Sequence, residues 1–354
     1  MSFFCDGDEA ERISSLCVHL LDLFQKGKDM NFNDFITFML EEVKRELGQD
    51  VKVEVREVCK NNGIMLKGLT ILSKESNLSP TIYLNGFYKE YQEGKELIDV
   101  KQSILEVYRS SKVDVKVDMD FFLDYEKVKN KLFCKLINYD KNTCLLQDVP
   151  YQKFLDLAVV CYFAYEAECM GSGFITIHTN HLDNWGIDEN ELFERAMTNT
   201  KSVYPGIYYS MEDMLRQMVE KDVRRDLEQK SNDLEGNEEE WISFTVEQIM
   251  KGLLGERKRS PMYVITNEGK AWGATCMLWK ETLQKLAEEL ESDLFILPSS
   301  VHEIIIVPAD EEQVCVDYLQ SMVEDINRTH VEPEEVLSDH IYRYLRDSGT
   351  TILQ

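Results

Sequence analysis

The densest cluster of side chains able to do chemistry is Ser299-Ser300-Val301-His302-Glu303. An imidazole beside a carboxylate can take a proton from a hydroxyl, and this would arm a serine as a nucleophile if the three groups converge. On that reading Ser299, Ser300, His302 and Glu303 are the catalytic candidates of a hydrolase. Strand geometry argues the other way. Neighbours on an extended chain point to opposite sides, so His302 and Glu303 do not both face one site. Serines in a tight turn also serve to satisfy backbone groups.

A second cluster, His178-Thr179-Asn180-His181, follows an apolar run, with Asp183 close behind. Two histidines three apart can supply two ligands, but a structural metal wants about four, and no C-x-x-C pair adds the rest. His178 and His181 are therefore ligand-binding candidates, with no metal site expected. Asn267, in the turn Asn267-Glu268-Gly269, is a third such candidate. It becomes a hydrogen-bonding group near the serine loop if the two flanking strands are neighbours.

The elements that would position these groups can be read from periodicity. Met262 to Pro308 reads as a strand, the Asn-Glu-Gly turn, an amphipathic helix, a second strand ending at Pro298, the polar knot, and a third strand from Ile304 to Val307. Upstream, Ile13, Leu16, Cys17, Leu20 and Phe24 fall on one helical face over residues 8–26. Asn31-Phe32-Asn33 can cap a helix with the stripe Ile36, Met39, Leu40, Val43 and Leu47. Alternation at Val51, Val53 and Val55, the turn Asn61-Asn62-Gly63 and a return from Ile64 to Leu72 spell a β-hairpin. Helices are expected over 96–111 and about 119–133. The run Phe154 to Tyr165 and the segment Phe174 to His178 form a hairpin through Gly171-Ser172-Gly173. Asp188 with Glu191 has the form of a capping box. Near the C-terminus, Asp310 with Gln313 has a capping arrangement ahead of an apolar face from Val314 to Ile326. Ile341 to Tyr344 then alternates like an edge strand. These elements imply an α+β fold with mixed, largely antiparallel sheets and packed helices. The expected organisation is a helical extension at 1–29, an α+β half at 30–204, a charged helical connector at 205–260, and a second α+β half at 261–354.

The chain has 354 residues and a formal net charge of -26. Binding duplex nucleic acid rests on neutralising phosphates with a basic face, so direct duplex binding is not expected. The longest apolar run is too short to span a bilayer and carries Asp156, so no membrane segment is expected. The acidic start MSFFCDGDEAER lacks the basic and apolar regions of a signal peptide, which points to the cytoplasm. Nine cysteines without a C-x-x-C pair suit reduced, mostly buried thiols. There is no P-loop, Rossmann fingerprint, G-x-S-x-G or H-E-x-x-H motif, and no cofactor is expected.

Three sets of segments together resemble a family of bacterial proteins known as a domain of unknown function. They are Asn61-Asn62-Gly63 with Ser79-Pro80-Thr81-Ile82-Tyr83-Leu84; Phe154-Leu155-Asp156-Leu157-Ala158 with His178, His181, Trp185 and Gly186; and Tyr263-Val264-Ile265-Thr266-Asn267 with Leu297-Pro298-Ser299-Ser300-Val301-His302-Glu303. The resemblance runs from about Met30 to the C-terminus. It implies a bacterial, cytosolic, single-chain α+β protein and carries no activity, cofactor or catalytic residue. The expectation that follows is a non-enzymatic interaction or regulatory protein with a protein partner, recognised near the 299–303 loop. The alternative is a hydrolase using Ser299 or Ser300 with His302 and a carboxylate. A third reading is a metal-dependent protein using His178 and His181.

Overall fold

The computed structural model describes residues 30–48, 51–73, 81–111, 119–167, 171–230, 238–254, 261–269, 271–298, 300–309 and 315–354. The helix expected over 8–26, Ser299, and the Asp310–Gln313 cap lie outside these residues. The fold is α+β, and every strand pairing described is antiparallel. Two compact units are present, one built mainly from residues up to Lys60 and Met65–Met119, the other from Asn61–Ile64, Asp120–Glu166 and Ser172–Gln354.

In the first unit, helix α1 (Phe32–Leu47) starts at Asn31, whose side chain accepts the Asp34 N–H at 3.1 Å. That bond satisfies one of the donors every helix start leaves open. Strands β1 (Val51–Cys59) and β2 (Met65–Ser73) pair from Val51 with Ser73 to Cys59 with Met65. The turn between them carries Asn62 and Gly63 at positive φ, as the Asn-Asn-Gly signal requires. A short β3 (Thr81–Tyr83) joins β2, and α2 (Leu84–Gln92) and α3 (Leu97–Ser111) follow. Phe35, Met39, Val43, Leu69, Ile71, Ile104 and Leu105 form the core between these helices and the sheet.

The second unit opens with α4 (Met119–Leu123) and α5 (Tyr125–Val128). The helix expected to reach 133 stops short, because Asp124 restarts the chain as an N-cap and β4 (Leu132–Asn138) begins directly after a 3-10 turn. β5 (Tyr151–Phe154) and β6 (Leu157–Ala167) form a hairpin, and β7 (Gly171–Thr176) also pairs with β6. The single run expected over 154–165 is therefore broken at Leu155-Asp156, where Leu155 takes a φ of 55°. β6 is buried on both faces. Leu157, Val159, Cys161 and Phe163 enter the main core, whereas Ala158 and Val160 enter a smaller one with Ile137. Burial on both sides removes the polar alternation a half-exposed strand would show.

Helices α6 (Thr179–Trp185) and α7 (Glu189–Val203) lead to β8 (Gly206–Ser210), α8 (Met211–Lys230) and α9 (Glu238–Leu254). The stretch expected as a connector thus supplies a strand of the second unit's sheet, since β8 pairs with β9 (Tyr263–Asn267). A 3-10 turn, Gly273–Leu278, precedes α10 (Lys280–Glu289), β10 (Leu294–Leu297) and β11 (Ile304–Pro308). Next come α11 (Val316–Thr329), β12 (Tyr342–Leu345) and β13 (Thr350–Leu353). The six-stranded sheet runs β13-β12-β10-β11-β9-β8. β12, expected at an edge, is interior, because β13 covers it. Leu294 and Ile296 face the main core, and Phe295 and Leu297 face Leu319 and Val323 of α11. That is the two-residue alternation of a sheet buried on both sides. Among the described residues, Cys134, Cys161 and Cys276 are buried and Cys59, Cys144 and Cys315 are exposed. Among the described residues no helix is long and apolar enough to cross a membrane.

Candidate functional site

β9 and β11 are neighbours, with Ile265 opposite Ile304. Antiparallel pairing therefore brings the end of β9 beside the residues that lead into β11. The Thr266 hydroxyl donates to the carbonyl of His302 at 2.8 Å. The chain then turns back and packs Gly273 into the same corner. A Cβ there would collide with Thr266 Oγ1 and the His302 carbonyl oxygen. Just before it, Trp272 holds a left-handed φ of 56°. For a bulky residue that conformation costs about 1–2 kcal/mol, and here it aims the Trp272 N–H at Nδ1 of His302, 3.3 Å away. The two rings stack at 5.4 Å and 27°. The Lys135 ammonium sits 4.1 Å over the indole, and half-exposed Phe174 meets it edge-on at 6.1 Å.

These contacts fix the chemistry of His302. A nitrogen that accepts an N–H bears the lone pair, so in the neutral ring the proton sits on Nε2. Nε2 faces Glu335 Oε1 at 3.4 Å. The Glu335 carbonyl in turn accepts the Val301 N–H at 2.9 Å. Ser300 Oγ accepts the backbone N–H of His302 at 3.1 Å, which is a turn-closing bond between neighbours and leaves the imidazole unpaired with the hydroxyl. Glu303 is exposed, and its charge helps burial raise the Tyr209 phenol. The structure thus gathers Asn267, Ser300 and His302 at one end of the sheet, together with Trp272 and Glu335. The His302 lone pair is engaged, so the ring could act as a general base only by breaking its bond to Trp272.

The corner also holds buried polar atoms without partners. Asn267 is 2% exposed and donates Nδ2 to the Ala271 carbonyl at 2.8 Å. Among the described residues, its Oδ1, Trp272 Nε1 and Thr275 Oγ1 have no hydrogen-bond partner. Unpaired groups in a folded interior are costly, so each of these atoms calls for an explanation.

His178 and His181 stand apart from this group, at the start of α6. The His178 N–H donates to His181 Nδ1 at 3.0 Å, and His178 Nδ1 lies 2.9 Å from Asp148 Oδ2. The His181 ring packs edge-on against Phe122 at 5.1 Å. Burial lowers the pKa of His181, His178 lowers it further, and Asp148 opposes both. Among the described residues no group of three or more His, Cys, Asp or Glu is placed to hold a metal.

Two polar arrangements lay beyond the reach of sequence reasoning. In the first, Asp156 Oδ1 accepts the Tyr342 hydroxyl at 2.6 Å. Its Oδ2 meets Ser338 Oγ at 2.8 Å and His340 Nδ1 at 3.0 Å. An aspartate inside an apolar run was the one available signal. The second is a clamp of asparagines on the irregular segment 333–338. Asn62 Nδ2 donates to the carbonyls of Pro333 and Val336, Asn61 to Glu334, Asn138 to Leu337 and Asn327 to Ser338, all at 2.7–3.0 Å. The segment that carries Glu335 to His302 is thereby held along its length. Only the Asn-Asn-Gly turn announced any of these amides.

No curated protein and no solved structure matches the chain. A family model described as a family of unknown function, DUF5688, matches residues 32–346, which takes in both units and the corner at His302. The chain therefore belongs to the family of unknown function DUF5688.

Proposed function

We propose that this chain is a non-enzymatic interaction or regulatory protein of the bacterial cytoplasm, and that it meets a protein partner at the corner formed by Trp272, Phe174 and His302. The observation that supports this reading is how the reactive groups are used. Ser300 closes a backbone turn and His302 is held between the Trp272 N–H and Glu335, so among the described residues no serine is armed as a nucleophile. Aromatic side chains with a polar edge and a nearby cation are the composition that recognition surfaces favour. Phe174 is 47% exposed, so its face is open to a partner.

The test has two arms. In one, the purified chain and its Ser300→Ala and His302→Ala variants are assayed on carboxylic ester, phosphoester and peptide substrates. No turnover that depends on either residue is expected. In the other, cross-linked partners are captured from host cells with the parent chain and with Phe174→Asp. A partner held by the parent and lost in the variant is expected. Turnover abolished by Ser300→Ala or His302→Ala would assign the hydrolase reading instead, and identical capture by both chains would remove this surface from the reading.

A further inference from the structure

Helix α9 is apolar on two sides. Ile242, Val246 and Met250 pack with Val223 and Leu227 of α8. Outside that stripe Trp241 is 44% and Phe244 65% exposed, and Ile249 and Leu253 are open as well. A surface helix keeps one apolar stripe and a polar outer face, so a second run of exposed apolar side chains marks an interaction surface.

The outer face of α9 fits a second copy of itself. Trp241, Thr245, Gln248 and Gly252 run down it four, three and four residues apart, the spacing of one row on a helix. Those intervals read the same from either end. An antiparallel α9 therefore sets Trp241 against Gly252 and Thr245 against Gln248, and large faces small, as interdigitating helices require. Nothing among the described residues asks for the glycine. Gly252 lies inside the helix without a left-handed φ, and a Cβ on it would meet no atom within 4 Å. Glycine also weakens a helix interior. Beside that row, Glu240 and Lys251 share a flank with Phe244, are exposed, and have no ion pair among the described residues. The antiparallel arrangement brings Glu240 of each copy near Lys251 of the other, whereas a parallel one would set like charges together. The chain carries a formal net charge of -26, but at ~0.15 M salt charges more than about 8 Å apart are largely screened, so the contact itself decides.

We infer that α9 is a self-association surface, pairing antiparallel with α9 of a second copy of this chain, with Trp241 of each copy over Gly252 of the other. This goes beyond the partner surface at Trp272 and uses none of its residues.

The experiment is sedimentation equilibrium of the full chain across a range of concentrations at ~0.15 M salt. A monomer–dimer equilibrium is expected. Gly252→Gln puts a side chain where the second copy's Trp241 would lie, and should weaken the dimer roughly tenfold or more, as overpacking does. Glutamine is the better helix former, so thermal unfolding of the dilute monomer should not fall, which separates a lost contact from a lost fold. Glu240→Lys and Lys251→Glu should each weaken the dimer by about two- to fivefold, the worth of exposed ion pairs. An equimolar mixture of those two variants restores opposite charges at both contacts between unlike chains, and should associate about as tightly as the parent. Any of three results would overturn the pairing: a chain that stays monomeric at every concentration, a dimer that Gly252→Gln leaves intact, or a mixture that associates no more tightly than its components.

Discussion

At Gly273 two chain segments approach so closely that a methyl group has nowhere to go. Its neighbours there include the His302 carbonyl, which is backbone and cannot rotate aside. Gly273→Ala should therefore destabilise the chain by about 1–3 kcal/mol, as overpacking does. Urea melts of parent and variant measure this, and a variant within 0.5 kcal/mol (roughly the scatter of neutral surface changes) would show that the corner can open. The same residue shows what one sequence can and cannot say about a site. Asn267 and His302 could be placed together in advance, because each sits at the end of a strand and antiparallel neighbours share their ends. Trp272, Lys135 and Phe174 could not, since they arrive from a turn and two strands of another sheet. Glu335 lies in a segment without periodicity, held by asparagine side chains that leave no local pattern.

The turn between β5 and β6 acts as a tether at the scale of elements. Asp156 sits in that turn, and through its bonds to Tyr342, Ser338 and His340 it fastens the small sheet's hairpin to β12 and the residues before it. Burial alone would raise the Asp156 pKa, but the hydrogen bonds from Tyr342, His340 and Ser338 outweigh it and hold the carboxyl below its ordinary value of 3.8. A carboxyl lowered in the fold stabilises the protein fully above its unfolded value, and that contribution fades as pH falls through the folded one. Asp156→Asn replaces one of two acceptor oxygens with a donor and turns it against groups that also donate. A loss of about 1–3 kcal/mol at neutral pH is expected, with the gap to the parent closing below pH 3.8. Paired urea melts down the carboxylate range check this, and a gap that stays constant with pH would remove the ionised tether. Local elements were legible wherever pattern and packing agreed, as in α1 and the β1–β2 hairpin. They were misread where tertiary pairing decided. The helix expected over about 119–133 overran at its end, because Leu132 and Phe133 suit a helix equally well and only β6 beside them makes them the start of a strand. Ile341 to Tyr344 looked like an edge because nothing before Thr350 shows that one more strand follows.

The molecule as a whole has two units whose cores share no residue: Phe35, Met39 and Leu69 pack in one, Ile265, Ile296 and Ile306 in the other. Hydrophobic burial is the main stabilising term and acts through contact, so loss in one core is felt first by the elements lining it. Phe35 is fully buried, and Phe35→Ala should cost its unit about 3–5 kcal/mol. Hydrogen exchange on the full chain reads where that loss goes. Faster exchange is expected through α1, β1, β2 and α3, with β9, β10 and β11 as protected as in the parent. The converse variant, Ile296→Ala, should loosen the six-stranded sheet by about 2–5 kcal/mol and spare α1 and α3. The turn at Asn61-Asn62-Gly63 sharpens the test, because its amides bond to the 333–338 segment and not to the first core. If the two units unfold separately, that turn should keep the protection of the second unit when Phe35 is truncated. Uniform deprotection of all strands by either variant would mean that the two cores melt as one.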